Sequence, residues 1–443
     1  MMTHEARNAK RARTGFSDQT GPWYKLDNAA TIMPAVTTRR NTTLFRLSVT
    51  LDHPVKLVEL EGALEKTVSR FPYFLVSLRR GFFWYYFQPL TVPVRPISDL
   101  GQPCVGHDIR VPGAPLFRVR LRDRTIACEF SHVLTDGTGG TTFLRVLLVE
   151  YFRRCGTVSE VSDLGFSLDG FPDPEEYEDA YHRFYKPGVP VPSALPQVFH
   201  LESPLIPHPG YRVISGVIPL DAVLAQAKAR HVSMTEFLAA VYIESLLAIR
   251  ASYVERKKRV RPVISLEIPI NMRRFYPTKT LRNFSLFILP SVDSRLGAWT
   301  LEQLVSYVHH YMGIENDERR IATQISRNAG GSRKLVVRMI PLFIKDFFAR
   351  ILFVALGEGL VSGFLSNLGP LILPPEISGH VERVDFVGAP SQGIGTHASI
   401  VSLNGNLYLG FGSLLQSRDL ERLFFSRLAA LGLPVHVDCE GEA

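Results

Sequence analysis

The stretch CEFSHVLTDGTGGTTFL, residues 128–144, reads as a short strand, a polar Gly-rich turn and the start of a helix. Within the turn, His132 stands four residues before Asp136, and Gly137 follows at once. Histidine is the side chain best suited to act as a base near neutrality, because its unperturbed pKa is roughly 6.5. It is useful only when its tautomer and orientation are fixed. A strand end supplies rigidity on one side, and a Gly-rich turn gives close access on the other. Gly137, Gly139 and Gly140 permit positive φ and let a substrate approach the backbone. A helix starting near Thr141 would add amide donors for an anionic group. Asp136 has three readings: it orients the imidazole, ties the loop to an arginine elsewhere, or caps the helix. His132 has two: a catalytic base, or a satisfied strand-end histidine.

The flanking sequence places this turn in a mixed architecture. PLFRVRLRD (115–123) and RTIACEFSH (124–132) read as paired strands around a tight turn, and TLFRLSVTLD (43–52) alternates like a third. VKLVELEGALEKTVSRFP puts Leu57, Leu60, Leu64 and Val68 at helical spacing and stops at Phe71-Pro72. YFLVSLRR and GFFWYYFQPL form an aromatic-rich hairpin near Gly81, a piece of core and tunnel wall. Residues 156–210 carry many Pro, Gly, Asp and Glu with little periodicity, as in a long crossover. Beyond it come a strand (RVISGVIPL) and helices, one opening on a capping box of Ser233 and Glu236. RPVISLEIPI and FSLFILP read as further strands. Helical stretches follow at about 300–327 and 332–356, then an NGN hairpin turn and a last helix from about Arg418. The expectation is an α+β (mixed α/β) protein of two lobes, each a mostly antiparallel or mixed sheet with helices on it. The expected division is a disordered basic tail (1–21), an N-terminal lobe (22–185), a linker (186–210) and a C-terminal lobe (211–443). A cleft between the lobes would hold the ligand.

Composition narrows the function classes. The net charge of +8, from 50 Lys+Arg against 42 Asp+Glu, is dispersed and shows no basic run interleaved with aromatics. Nucleic acid is therefore not an expected partner. Cys104, Cys128, Cys155 and Cys439 lack CxxC spacing and His partners at metal-site distances. No structural zinc is expected, and a reducing, cytoplasmic setting is. The first 21 residues are polar and basic without an apolar core, unlike a secretory signal. Residues 333–365 are the most apolar, but Arg338, Lys345, Asp346, Arg350, Glu358 and Pro341 interrupt them. A spanning helix is excluded on that pattern. A buried amphipathic helix is expected there in preference to an interfacial one, so peripheral membrane contact is not favoured. No GxSxG elbow is present, and GAPSQGIGTHAS lacks the Lys-Ser/Thr of a phosphate loop. His397 beside it is read as structural, and His309-His310 as a solvated helix face.

PLFRVRLRDRTIACEFSHVLTDG resembles the signature region of the chloramphenicol-acetyltransferase-like superfamily, in which a strand leads into H-x-x-x-D-G. That group includes condensation domains, polyketide-associated acyltransferases, wax-ester synthases and alcohol acetyltransferases. Ser131 stands where many members carry a second histidine, which is more similar to the alcohol-acetyltransferase branch. LEIPINMRRFYPTKTLRNFSLFILP (266–290) resembles the family's P-V-N-x-R … G-N segment through Pro269, Asn271, Arg273 and Asn283, with Arg282 in place of the usual glycine. FLSNLGP (364–370) is similar to its S-N-x-G strand, and KLDNAATIMPAV (25–36) to the start of the alcohol-acetyltransferase branch. The resemblance covers nearly all of the chain after about Pro22.

It implies two chloramphenicol-acetyltransferase-like lobes with an active site in the tunnel between them. It also implies direct transfer of an acyl group from acyl-CoA, or from an acyl carrier protein, to a small-molecule alcohol by a monomer with no bound cofactor or metal. His132 would be the base, Gly137 would keep the loop clear of the acyl carbonyl, and Asp136 would be structural. Arg273 is the candidate partner of Asp136, with Arg274 its rival. Asn367 or Ser366 would supply an oxyanion donor, and Asn271 and Asn283 belong to the same set. The non-enzymatic alternative is a lipid- or partner-binding protein of the same fold.

Overall fold

In the strand Thr125–Ser131, Ile126, Cys128 and Phe130 alternate with Ala127, Glu129 and Ser131, and both sets are buried. A strand covered on both faces belongs in the middle of a sheet. The computed structural model, which describes residues 23–158, 168, 170–190 and 195–440, places it at the centre of five strands. Their order is Val381–Val387, Leu44–Leu51, Thr125–Ser131, Phe117–Arg122 and Ile97–Ser98, antiparallel except for the last pair. Helices Leu57–Arg70 and Gly137–Arg154 cover one face, where Phe130 meets Phe143 at 5.4 Å between ring centroids. On the other face, Arg46, Arg118 and Arg120 converge on Asp99 and the fully buried Glu129. This is the role of Arg118 and Arg120 in FRVRLR, whereas Arg122 is exposed. A separate three-stranded sheet of Tyr24–Lys25, Tyr85–Pro89 and Val76–Arg80 carries the aromatic hairpin.

The C-terminal half forms an eight-stranded mixed sheet. Its main path runs Ser285–Ile288, Val263–Asn271, Gly363–Pro370, Thr396–Leu403, Asn406–Ser413, Arg212–Pro219 and His436–Glu440. Ser291–Asp293 also pairs with Val263–Asn271. The two central pairings at Gly363–Pro370 are parallel, and the rest are antiparallel. Asn404 and Gly405 both take positive φ in the turn between Thr396–Leu403 and Asn406–Ser413, which suits a tight hairpin. Helix Met234–Glu255 packs on this sheet and opens with the Ser233–Glu236 capping box. It is long and apolar enough to cross a bilayer, but Phe237–Ile243 lie wholly in the core.

Two expectations need correction. The tail 1–21 and parts of the crossover lie outside the described residues, but the boundary at 211–443 can be compared with the sheets. Val381–Val387 leaves the C-terminal half and forms the edge of the N-terminal sheet, where Val384 and Phe386 join the N-terminal core. Asp52 pins this crossing by accepting from His380 at 2.8 Å. The second correction concerns residues 335–354. Leu335–Met339 and Leu342–Leu352 are separated by Pro341, and most of their apolar side chains face solvent. The physical reason is the inward side of Leu342–Leu352, where Asp346 is buried and bonds Arg80 and Tyr85. With that polar anchor turned to the protein, the phenylalanines are left outside.

Val384, within the shared strand, is buried in the N-terminal core. Val384→Ala should lower the unfolding free energy by about 2 kcal/mol through the cavity it leaves. Denaturant melts followed by tryptophan fluorescence and far-UV circular dichroism should shift together, because the strand joins both halves.

Candidate active site

His132 sits where the strand Thr125–Ser131 ends. Its backbone N–H donates to the Thr43 carbonyl at 2.8 Å, and its ring lies 4.6 Å from that of Phe45. Burial holds the imidazole pKa below 6.5, while the Asp136 charge, the Asn283 amide and the Thr135 backbone act against it. The ring is therefore neutral at pH 7, with a lone pair available to accept a proton. Ser131 is fully buried and accepts a hydrogen bond from the Val133 N–H at 3.2 Å.

Asp136 points away from a direct role on the ring. It caps helix Gly137–Arg154, accepting from the Gly139 N–H at 3.1 Å. Its carboxylate also takes both terminal nitrogens of Arg273, at 2.8 and 3.3 Å, and the Phe284 N–H at 2.9 Å. Two of the three readings of Asp136 thus hold at once: cap and arginine tie. Arg273 completes its own set of donors on Asn271 and on the carbonyls of Thr280 and Arg282. Arg274 is exposed and takes no part. Glycine is required at 139, where a Cβ would lie 2.3 Å from the Leu281 carbonyl oxygen and 2.1 Å from the Thr135 hydroxyl.

The segment after Arg273 closes over the loop. Asn283 donates to the His132 carbonyl at 2.8 Å and to Asp27 at 2.9 Å, and Asn271 donates to the Thr138 hydroxyl at 3.1 Å. Arg282 is fully buried. It donates to the Leu134 and Tyr73 carbonyls and stacks on Phe87 at 4.6 Å. Asp27 went unrecognised in the sequence, although it sits in KLDNAATIMPAV. Burial first, and Asp179 second, raise its carboxyl to about 7.

The opposite wall comes from the C-terminal sheet. Glu267, Phe364 and His397 stand side by side in register across three strands. They share the face opposite Leu266, Leu365 and Ala398, which are packed into the core beneath the helices. Phe364 stacks on His397 at 4.9 Å. Burial and the nearby His132 lower the His397 pKa to about 4, and its Nε2 is buried with no hydrogen-bond partner among the described residues. Burial raises the Glu267 carboxyl to about 8. Sequence reasoning set His397 aside and passed over Glu267, because only strand register brings them together. Ser366 lies on this face by alternation. Asn367 does not: its amide donates to the Thr235 hydroxyl at 2.9 Å and accepts from the Gly369 N–H at 2.8 Å, on the helix side of the sheet. Gly137 meets the same strand tip, where a Cβ would lie 2.3 Å from Leu368.

No family model and no curated protein matches the chain. Solved structures do match. TRI101 of F. sporotrichioides, complexed with coenzyme A and T-2, aligns with a TM-score of 0.57 at 12% identity, over 95% of this chain and 100% of its own. TRI3 trichothecene 15-O-acetyltransferase from Fusarium sporotrichioides gives 0.56 at 10% identity, over 92% and 93%. The starter condensation domain of rhizomide synthetase, in complex with C8-CoA and Leu-SNAC, gives 0.55 at 11%, over 91% and 94%. The chain therefore shares its fold with these solved structures.

Asp136→Ala leaves the Arg273 guanidinium buried without its counter-charge. It should destabilise the protein by about 3–5 kcal/mol, the usual cost of breaking a buried pair. Arg273→Lys, which keeps the charge but loses the fork, should cost less in the same urea titration.

Proposed function

We propose that the protein transfers an acyl group from an acyl-CoA thioester to the hydroxyl of an alcohol, with His132 as general base. The observation that carries this reading is a neutral imidazole fixed at a strand end between two sheets. Its loop is locked by Asp136 and Arg273, so the ring does not have to be reorganised as the reaction proceeds. In this reaction, the alcohol O–H gives its proton to His132 as its oxygen bonds to the thioester carbonyl carbon. The tetrahedral intermediate then collapses with cleavage of the C–S bond. The imidazolium returns the proton to the departing thiolate, giving ester and free thiol. Both substrates are bound together, and no acyl-enzyme forms. Ser366, on the wall with His397, is the candidate oxyanion donor. Coenzyme A or C8-CoA in matching structures supports the donor, and the named O-acetyltransferase supports a hydroxyl acceptor. A thioester on an acyl carrier is the second donor reading, favoured by the condensation-domain match. A monomer in a reducing, cytoplasmic setting belongs to the same proposal.

The wall of Glu267 and His397 is polar yet uncharged at pH 7, given carboxyl and imidazole pKa values of about 8 and 4. It suits a neutral acceptor bearing a second polar group. His397→Phe should raise the acceptor KM several-fold with a smaller change in kcat.

His132→Ala should reduce thiol release from an acyl-CoA and alcohol panel by at least about 10²–10⁴-fold, the usual share of a general base. Near-normal turnover in that variant would remove the mechanism. Mass spectrometry of the products identifies the acceptor, and offering acyl-CoA and acyl-carrier side by side identifies the donor. Because the folded-state pKa of His132 is depressed, the base form persists as pH falls through 6.5. The acid limb of kcat/KM should therefore lie below that value, and a limb above it would contradict the assignment.

A further inference from the structure

The helix Leu342–Leu352 and the tip of the aromatic hairpin form one apolar face. Phe343, Phe347 and Phe348 are 60%, 60% and 56% exposed, and Phe82 and Trp84 are 68% and 50% exposed. The two elements are joined: the Leu342 N–H donates to the Phe82 carbonyl at 2.8 Å, and the Lys345 ammonium to the Phe83 carbonyl at 2.9 Å. Soluble monomers keep contiguous apolar patches small, so five large aromatics on one surface imply a covering partner.

Charge identifies the partner. Across residues 334–357 the basic side chains are Lys334, Arg338, Lys345 and Arg350, and the only acid is Asp346. Asp346 is buried against Arg80 and Tyr85. Beside the aromatics lies a cleft of about 570 Å³ lined by Arg80, Arg110 and Arg350 together with Tyr85, Phe343 and Phe347. Within it Arg80 pairs with Asp346 and Arg110 with Asp108, while Arg350 has no carboxylate partner among the described residues. A second copy of this chain would meet the face with like charge, at a net charge of +8. Inserted aromatics ringed by Lys and Arg suit a negatively charged bilayer, in which the rings enter the headgroup layer and the cations meet phosphate.

We propose that this face docks the protein on an anionic lipid surface, with the arginine cleft taking one phosphate-bearing headgroup. The face connects to the His132 site. The Arg350 Nε donates to the Ala35 carbonyl at 2.8 Å, and eight residues further on the Thr43 carbonyl holds the His132 amide. Docking therefore puts the bilayer against the segment that leads to the reacting histidine.

Flotation of the full chain with phosphatidylcholine vesicles, with and without phosphatidylglycerol, tests this. The protein should float with the anionic vesicles, stay behind with the neutral ones, and be released by high salt. Phe347→Ser with Phe348→Ser should lower the partition coefficient by at least roughly tenfold. Lys334→Glu with Arg338→Glu should lower it by roughly fivefold or more for each charge removed. All four side chains are exposed, so thermal unfolding should match the parent and exclude misfolding. Failure of the full chain to float with anionic vesicles overturns the proposal. So does equal flotation with both lipids, variants that float as well as the parent, or an acidic carrier protein that binds this face while vesicles do not. Thiol release by detergent-free protein is measured in parallel, so loss of docking and loss of the reaction are read separately.

Discussion

The Asp136 carboxylate is the joint on which the molecule depends. It belongs to the N-terminal lobe, yet three of the four groups it accepts from lie outside its own helix: two nitrogens of Arg273 and the Phe284 amide. A charge pair removed from water is favourable only when its remaining hydrogen-bonding capacity is met. Here it is met on both sides, because Arg273 also reaches Asn271, Thr280 and Arg282. The segment around residues 271–284 is thus clamped to the His132 loop. The same clamp sets the distance between His132 and the wall opposite it.

Around that joint, burial pushes four titratable groups toward their uncharged forms. His132 and His397 are lowered, and Asp27 and Glu267 are raised. The ion pair is kept on the scaffold, and His132, His397 and Glu267 are mainly uncharged near pH 7, whereas Asp27, at about 7, is half ionised there. An uncharged lining avoids trapping a substrate by ion pairing, and it leaves proton transfer to be decided by small differences in basicity.

The sequence revealed what local patterning controls. The paired strands ending at His132, the hairpin at Gly81, the capping box at Ser233 and the NGN turn all follow from periodicity or turn chemistry within a few residues. The Asp136–Arg273 pair came from a resemblance, since 137 residues separate the two. What escaped is what only three-dimensional assembly supplies. Glu267 and His397 meet through strand register, and Asp27 reaches Asn283 from the far end of the chain. Arg282 looked like a lost glycine but fills a buried slot between Tyr73 and Phe87. The outward phenylalanines of Leu342–Leu352 defeated the rule that an amphipathic helix hides its apolar side, because that rule presumes that water covers the other side.

The shared strand also has a meaning in time. The edge of the N-terminal sheet at Leu44–Leu51 is completed only by Val381–Val387. During synthesis, the first lobe must leave the ribosome with an apolar edge open until nearly the whole chain has been made, and open edges invite pairing with other chains. Joining two distant stretches so late raises the contact order and slows folding. A nascent protein of this shape therefore depends on protection of that edge, and the two lobes mature together.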